Sequence, residues 1–404
     1  MSSAEAEPAV VIHAGSTIVR AGFADDYVAP RVVFPTAREA SGGGGGDDAA
    51  EDSRQKRQHQ HRPITRIVMD WDRMEQIWRQ AFFELDVSPA GQPVLLVEPP
   101  LNPRAHRVRM ASIIFLRLEA PRLCVLADAV LSLMACDRRT TGAVLHCGSM
   151  ASHSVAVVEG HVLPHSLRRL ELGGTHLTDY LYHVLLPERG YTWSSGSGER
   201  EGVRGLKEKL GYVALDFDAE LELMLCDSPS ASAPEPEHVV QQELEYDLYG
   251  DGNTITVGKT ELFRCTEALF QPAPLAKALC IEIPTSSGGG VHRMLDDTIK
   301  SCGDEGIQRG MFGSVVMTGA TCCFAGMAQR LTKELAQLAP VGTDVVIANN
   351  DSANHAAAGT GSNSAALSAD EKVKRKYCAW IGGAHYAEST PSAFLSKDQF
   401  FSSI

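Results

Sequence analysis

Apolar residues recur along this chain with two different spacings. Short apolar runs, such as VVIHA from Val10 and AVLHC from Ala143, predict buried strands. Longer stretches repeat an apolar residue every three or four positions, which predicts helices with one buried face. Strand-like runs alternate with helix-like ones, so the sequence predicts an α/β fold.

The helical pattern is clearest in six stretches. One covers residues 70–85, and a second starts with Asn102 as N-cap and Pro103 in the first turn and runs to about Leu118. A third is ended by Pro187 and Gly190. Apolar residues mark the face of the first stretch at Met74, Ile77, Trp78, Phe82 and Leu85, and that of the third at Leu177, Leu181, Val184 and Leu185. The remaining three stretches are marked by Val203, Leu206 and Leu210; by Met294, Leu295 and Ile299; and by Met327, Leu331, Leu335 and Leu338.

Two of the strand-like segments resemble each other. VVIHAGSTIVRAGF begins at Val10, and AVLHCGSMASHSVAVVEG begins at Ala143. Each places His, a small residue, Gly and Ser between two apolar runs, which predicts a hairpin with a tight Gly-Ser turn. Consecutive backbone N–H groups at such a turn can hold a phosphate without a charged side chain. Two such turns favour two lobes that close on one nucleotide.

Length and composition narrow the functional classes. A chain of 404 residues predicts two domains or lobes. A net charge of −13 argues against general nucleic-acid binding, so no direct nucleic-acid partner is expected. Ten cysteines without a CxxC pair indicate reduced thiols in an intracellular protein. Neither a signal peptide nor a membrane span is expected, because no stretch of about 18 apolar residues occurs.

Three segments lack an apolar pattern. Arg38–Arg62 contains SGGGGGDDAAEDSRQKRQHQHR and is predicted not to become ordered. Asp227–His238 is rich in Ser, Pro and Ala and predicts a loop, and Asn349–Asp370 is predicted to be mobile. The basic runs RQKRQHQHR and KVKRK, the second at Lys372–Lys376, are interpreted as solvated segments rather than as an anion-binding run and a nuclear address.

Long segments of the chain resemble the actin family, in the family's order. They are VVIHAGSTIVRAGFADD, QPVLLVEPPLNPRAHRVRM, DAVLSLMACDRRTTGAVLHCGS, LPHSLRRLELGGTHLTDYL, GLKEKLGYVALDFD, FRCTEALFQP, APVGTDVVIA and RKYCAWIGG. The resemblance implies two lobes, each with a mixed sheet flanked by helices, and a nucleotide cleft between them.

The same resemblance implies the domain boundaries. Lobe 1 comprises residues 1–135 and 378–404, and lobe 2 comprises residues 136–377 with an outer subdomain at 173–275. The segment 37–62 is interpreted as a disordered linker that replaces the small outer subdomain of lobe 1. The segment 349–370 is interpreted as a flexible insertion of lobe 2.

The chain departs from the family where the resemblance places the metal and the phosphates. The family has aspartates that hold hydrated Mg²⁺ at the positions of His13 and His146, and a glutamine that places the attacking water at Asp128. Mg²⁺ prefers oxygen ligands, and imidazole is a poor replacement. The second glycine of each phosphate loop is Thr17 or Met150 here, and a side chain there crowds the backbone's approach to a phosphate. Hydrolysis by the family mechanism is therefore not expected, and no residue is expected to be catalytic.

Other candidate positions follow the family more closely. Arg20 keeps the charge of a phosphate-contacting lysine, Ser149 stands where an acid contacts the ribose, and His153 matches a catalytic-site histidine. The nucleotide contacts implied by the resemblance are Gly15, Ser16, Thr17, Arg20, Gly148, Ser149, Gly174, Lys207, Glu208, Gly319, Ala320, Thr321 and Lys376. Of these, Gly174, Lys207, Glu208 and Lys376 match family positions around the adenosine. Weak binding of ATP or ADP that depends little on Mg²⁺ and loss of nucleotide binding both stay open.

The two histidines allow three interpretations. In the favoured one, His13 and His146 fill a vestigial cleft and hydrogen-bond to Asp128 or to water. In the second, both imidazoles contact a phosphate and become protonated as the anion binds. In the third, His13, His146, His153 and Asp128 form a transition-metal site, for which their ligand types are suitable.

The segments that make filament contacts in the family differ in this chain. The residues after Phe34–Thr36, the segment after Gln271 and the ending FFSSI do not match. A conventional filament is therefore not expected. The sequence favours a non-polymerising cytoskeletal or complex subunit in the cytoplasm, with actin or a multi-subunit complex as its partner. A nuclear subunit of a chromatin-remodelling complex and a slow ATPase are the alternatives.

Overall fold

The chain forms two compact units. A computed structural model describes residues 7–36, 70–193, 197–225, 243–248, 252, 254–284, 289–349 and 367–403. Unit 1 comprises Met1–Asp128 and Gly383–Ile404, and unit 2 comprises Ala129–Gly382. The predicted lobe 1 ends at residue 135 and resumes at 378, seven residues after and five residues before these divisions. The linker predicted at 37–62 and the loop predicted at 227–238 lie outside the described residues.

Unit 1 contains a five-stranded mixed sheet. Its strands are β1 (Val10–Ala14), β2 (Ile18–Phe23), β3 (Val32–Pro35), β4 (Val94–Glu98) and β5 (Leu123–Ala127), in the order β3-β2-β1-β4-β5. β1 pairs antiparallel with β2 and parallel with β4, and β4 pairs parallel with β5. The central strands are apolar and buried along almost their whole length, as is typical of parallel strands covered on both faces.

Helices cover the sheet of unit 1. The helix Trp71–Glu84 begins at Asp70, whose carboxylate accepts a hydrogen bond from the backbone N–H of Arg73, which confirms the helix predicted at 70–85. Its apolar face buries Ile77, Trp78 and Phe82 in the same core as β1 and β4. The other helices among the described residues of this unit are Arg104–Leu116 and Lys397–Ser403, with short 3₁₀ turns at Pro89–Gly91 and Pro391–Ala393.

The start of the second helix differs from the prediction by one residue. The helix begins at Arg104 with Pro103 as its N-cap, whereas Asn102 was expected to cap it. Asn102 is buried, and its side-chain amide donates to the carboxylate of Glu98 at 2.8 Å, so it is not available to the helix. The same carboxylate accepts from Arg107, and this polar cluster fixes the end of β4 against the helix.

Unit 2 contains a second five-stranded mixed sheet and a separate hairpin. The strands of the large sheet are β6 (Gly142–Cys147), β7 (Ser152–Val158), β8 (His161–Val162), β9 (Arg168–Leu170) and, later in the chain, β12 (Val315–Thr318). Their order is β12-β6-β7-β8, with β9 also paired to β7. β12 and β6 are parallel, and β6 and β7 are antiparallel. The separate hairpin comprises β10 (Leu244–Asp247) and β11 (Thr254–Val257).

The helices of unit 2 include those predicted around Val203, Leu295 and Leu331. Helix Asp128–Met134 begins at the last residue of unit 1, and helix Ala369–Ser389 continues into unit 1. The others in the part of unit 2 that the structure describes are Gly174–Tyr180, Leu186–Glu188, Ser197–Leu210, Phe217–Leu225, Lys259–Glu267, Pro272–Ala278, Val291–Lys300, Glu305–Phe312 and Met327–Leu338, with a π-helical turn at Leu181–Leu185 and 3₁₀ turns at Pro164–Ser166 and Ala320–Cys323. Among the described residues, no helix combines the length and apolar character that a membrane span requires.

One predicted helix end is confirmed, and the end of one predicted insertion differs. The helix predicted to end at Pro187 and Gly190 has its last turn at Leu186–Glu188, and Gly190 follows with φ of 95°. The insertion predicted to be flexible to residue 370 ends earlier, because Ser368 and Glu371 exchange hydrogen bonds that begin the helix at Ala369. Residues 350–366 of that insertion lie outside the described residues.

Candidate functional site

The first predicted hairpin is formed by β1 and β2. The backbone N–H of Gly15 donates to the carbonyl of Ile18 at 3.0 Å and closes the turn. The hydroxyl of Thr36 donates to the carbonyl of Gly15 at 2.8 Å, which ties the turn to the end of β3. A Cβ atom on Gly15 would lie 2.9 Å from the Ile18 carbonyl oxygen, so the turn requires glycine. His13 is the penultimate residue of β1 and lies opposite Arg20 in the register.

The second predicted hairpin, formed by β6 and β7, closes in the same way. The backbone N–H of Gly148 donates to the carbonyl of Ala151 at 3.0 Å, as Gly15 does to Ile18. His146 is the penultimate residue of β6 and lies opposite His153, and the two rings stack with centroids 4.8 Å apart. The predicted likeness of the two hairpins is therefore confirmed in their hydrogen bonding.

The carbonyl groups of the second turn are bound by neighbouring segments of unit 2. The carbonyl of Gly148 accepts from the N–H of Gly174 at 3.0 Å and from the hydroxyl of Thr321 at 2.9 Å. The carbonyl of Ser149 accepts from the N–H of Thr175 at 2.8 Å. A Cβ atom on Gly173 would lie 2.5 Å from that carbonyl oxygen, so the LGGT segment packs directly on the turn.

The Lys207 side chain is bound within the protein. Its ammonium group donates to the carbonyl of Gly174 at 2.6 Å and to the hydroxyl of Thr178 at 2.9 Å. The residue is only 4% exposed, and burial lowers the pKa of its ammonium group. Thr178 was not among the predicted site residues, although it lies one helical turn after Gly174 in the same motif.

Glu208, next to Lys207, lies in different surroundings. Its carboxylate is about half exposed, lies 3.7 Å from the guanidinium of Arg204, and borders a cavity of 350 Å³ with Tyr212 and Cys323. Lys207 is therefore buried against Gly174 and Thr178, while Glu208 lies on the solvent-exposed face of the same helix.

The Gly319–Thr321 segment reaches the second turn from β12. Gly319 has φ of 96°, and a Cβ atom on it would lie 2.2 Å from the carbonyl oxygen of Cys147. Its N–H donates to the carbonyl of Arg375 at 3.1 Å. Ala320 is exposed, and Thr321 is buried. This segment and Gly174 thus approach Gly148 from two sides.

The basic run at Lys372–Lys376 is solvated, as predicted, at Lys372 and Lys374 but not at Arg375. It lies within the helix Ala369–Ser389, and Arg375 is fully buried with its guanidinium 3.3 Å from the carbonyl oxygen of Cys322. Lys376 is half-buried, and its ammonium group lies 5.4 Å from the centre of the Tyr377 ring. The position of each residue around the helix, and not the charge of the run, therefore decides which residues are buried.

The residues at the predicted metal position do not suit Mg²⁺. The penultimate residues of β1 and β6 are histidines, which offer nitrogen ligands, whereas Mg²⁺ prefers oxygen ligands. Imidazole suits zinc, copper or nickel instead. Asp128 is buried at the start of its helix. The transition-metal interpretation combines His13 and Asp128 of unit 1 with His146 and His153 of unit 2, and it stays a prediction.

A comparison with protein families agrees with the resemblance seen in the sequence. The family model described as Actin matches residues 4–399, which is nearly the full length of the chain. The two mixed sheets flanked by helices are the α/β architecture that this family implies. The chain therefore belongs to the actin family.

Proposed function

We propose that this protein is a non-polymerising actin-family subunit that acts through protein partners and lacks Mg²⁺-dependent ATP hydrolysis. The observation that carries the proposal is the pair of histidines at corresponding places in two hairpins with the same turn. His13 and His146 each precede the turn glycine by two residues, and both positions hold aspartate in the family. An imidazole neither attracts hydrated Mg²⁺ as a carboxylate does nor suits it as a ligand.

One further feature supports loss of the phosphate end. Thr17 and Met150 bring side chains to turns that hold a second glycine in the family, and a side chain there crowds the approach of the backbone to a phosphate. Residual binding of ATP or ADP belongs to this proposal only in a form that does not require Mg²⁺.

Isothermal calorimetry of the purified protein with ATP tests the proposal. Titrations in Mg²⁺, in EDTA and in Zn²⁺ are expected to show no gain of affinity from Mg²⁺, and phosphate release is expected to stay at background. Binding that needs Mg²⁺, or turnover above background, contradicts the proposal and supports the slow ATPase. Binding that needs Zn²⁺ supports the transition-metal interpretation and leaves the loss of Mg²⁺ chemistry intact.

If ATP binds in EDTA, two variants on the helix Ser197–Leu210 test whether Glu208 contacts the nucleotide. Glu208→Ala is expected to weaken binding about fivefold, as for one lost hydrogen bond of about 1 kcal/mol. Glu201→Ala changes a neighbouring carboxylate that also pairs with Arg204 and is expected to have no effect. Equal losses in both variants contradict a nucleoside contact by Glu208.

Sedimentation tests the non-polymerising part of the proposal. The protein is expected to stay in the supernatant under salt and nucleotide conditions in which actin, run in parallel, forms filaments. The reason is that the segments after Thr36 and Gln271 and the C-terminal ending differ from those that make filament contacts in the family. Concentration-dependent pelleting of the purified chain contradicts this part.

The proposal includes a class of partner and a location in the cell. A cytoplasmic, cytoskeletal role with actin or a multi-subunit complex as partner is preferred. A nuclear role in a chromatin-remodelling complex is the alternative, but KVKRK supports it poorly as an address because Arg375 is fully buried. Cell fractionation separates the two.

A further inference from the structure

Unit 2 contains a cavity whose lining residues belong to neither hairpin. It has a volume of 490 Å³ and is lined by Phe270, Gln271, Gly290, His292, Arg330 and Glu334, among others. Small-molecule sites in proteins have volumes of about 300–1,000 Å³, so the cavity is large enough for a ligand.

The cavity lies at the N-terminus of the helix Val291–Lys300. The N-cap is Gly290, which offers no side-chain acceptor, and the first turn contains no acidic residue. The backbone N–H of Val291 donates to the carbonyl of Leu269 at 2.8 Å, which fixes the start of the helix. The amides of the first turn and the positive end of the helix dipole favour an anion at this place.

His292 is the second residue of this helix and borders the cavity. It is 9% exposed, and its ring stacks on Phe270 with centroids 5.6 Å apart. Among the described residues, its Nδ1 atom has no hydrogen-bond partner. A buried polar atom without a partner is unfavourable, and a ligand that accepts a hydrogen bond from Nδ1 removes that penalty.

The charged groups near His292 nearly balance one another. Arg330 is buried and pairs with Glu267 at 3.0 Å and Glu334 at 2.6 Å, while Arg293 is exposed beside the cavity. An added anion therefore meets the helix end, Arg293 and His292 as its favourable neighbours and Glu334 as the unfavourable one.

We propose that this cavity binds a small oxyanion, a phosphate or a carboxylate, through the first-turn amides of His292 and Arg293 and Nδ1 of His292. The site lies outside the hairpins and does not depend on the proposed function. Its two parts act together, because the helix end supplies the positive potential and His292 supplies a directed hydrogen bond.

The proposal implies binding that strengthens as the pH falls. Burial lowers the pKa of His292 to about 4, although Glu334 opposes this and Arg293 and Arg330 add to it, so the ring is neutral at pH 7 in the free protein. A bound anion favours the charged imidazolium and raises that pKa. If binding raises it by about two units, the affinity is about tenfold higher at pH 5 than at pH 7.

Sulfate is the probe, because its charge is constant across this pH range. Titrations of the full chain at constant ionic strength, with chloride as the balancing anion, are expected to show saturable binding that is tighter at pH 5. Long-range ¹H–¹⁵N spectra of the His292 ring are expected to show its pKa rise with sulfate. Acetate and inorganic phosphate, compared at pH 7, distinguish a carboxylate from a tetrahedral oxyanion. No saturable binding of any of the three, or a His292 pKa that sulfate does not move, overturns the proposal.

Two variants separate the helix end from the histidine. His292→Phe keeps the ring stacked on Phe270 but removes Nδ1, so the affinity at pH 5 is expected to fall at least tenfold and its pH dependence to disappear. Arg293→Gln is expected to weaken sulfate binding a few-fold and to keep the pH dependence. His183→Gln, at an exposed histidine of the same unit, is expected to change neither. Unchanged sulfate binding by His292→Phe overturns the proposal, and the His292 spectra of the unmodified chain decide it if that variant does not fold.

Discussion

Gly382→Ala is expected to destabilise the protein by about 3 kcal/mol or more. Gly382 lies inside the helix Ala369–Ser389, and a Cβ atom on it would lie 1.7 Å from the carbonyl oxygen of Leu131 and 2.6 Å from the carbonyl carbon. These are backbone atoms of the helix Asp128–Met134, so no side-chain rotation relieves the overlap. The two helices must separate, and the packing around buried Leu131 is lost with them.

Gly310→Ala is the matched control for this substitution. Gly310 is an exposed residue of the helix Glu305–Phe312, and a Cβ atom on it would meet nothing within 4 Å. Alanine there is expected to stabilise the protein by about 0.5–1 kcal/mol, because glycine is the more flexible residue in the unfolded chain. Urea unfolding of both variants measures the difference. A Gly382→Ala protein as stable as the parent contradicts the close approach of the two helices.

The parts of the fold that sequence predicts well are those with local causes. The two hairpins depend on an apolar run and a Gly-Ser turn within a few residues, and both form with the same closing hydrogen bond at Gly15 and Gly148. The helix that starts at Asp70 follows from an N-cap and an apolar face within one segment. The family resemblance then placed these elements in two lobes, which periodicity alone does not do.

The parts that sequence predicts poorly depend on partners far along the chain. Asn102 reads as a helix cap, but it binds Glu98 because β4 ends beside it. Lys207 matches a nucleotide contact of the family, but its ammonium group binds Gly174 and Thr178. The segment WIGG identifies the family without revealing that Gly382 is required by the backbone of Leu131. In each case the residue type is compatible with two roles, and only the tertiary contact decides.

Glu267→Ala is expected to lower the free energy of unfolding by about 3–5 kcal/mol. The side chains of Glu267 and Arg330 are 4% and 7% exposed, and both carboxylate oxygens accept from the guanidinium at 3.0 and 3.1 Å. Gln271 also donates to this carboxylate at 3.1 Å. Removing it takes the acceptor from two guanidinium N–H groups in the interior, although Arg330 stays paired with Glu334 at 2.6 Å, and buried donors that lose a charged acceptor are costly.

Two further variants show whether the lost hydrogen bonds to the buried guanidinium cause this loss. Glu305→Ala breaks an exposed pair with Arg309 and is expected to cost less than about 1 kcal/mol. The double variant Glu267→Leu, Arg330→Met removes both buried charges, and it is expected to recover most of the stability lost in Glu267→Ala, since apolar replacement of a buried pair is often neutral. Urea unfolding with unchanged m-values provides the comparison. If the double variant is no more stable than Glu267→Ala, the loss comes from packing around Phe270 and Arg330, whose guanidinium lies 4.9 Å from that ring, and not from the lost hydrogen bonds to the guanidinium.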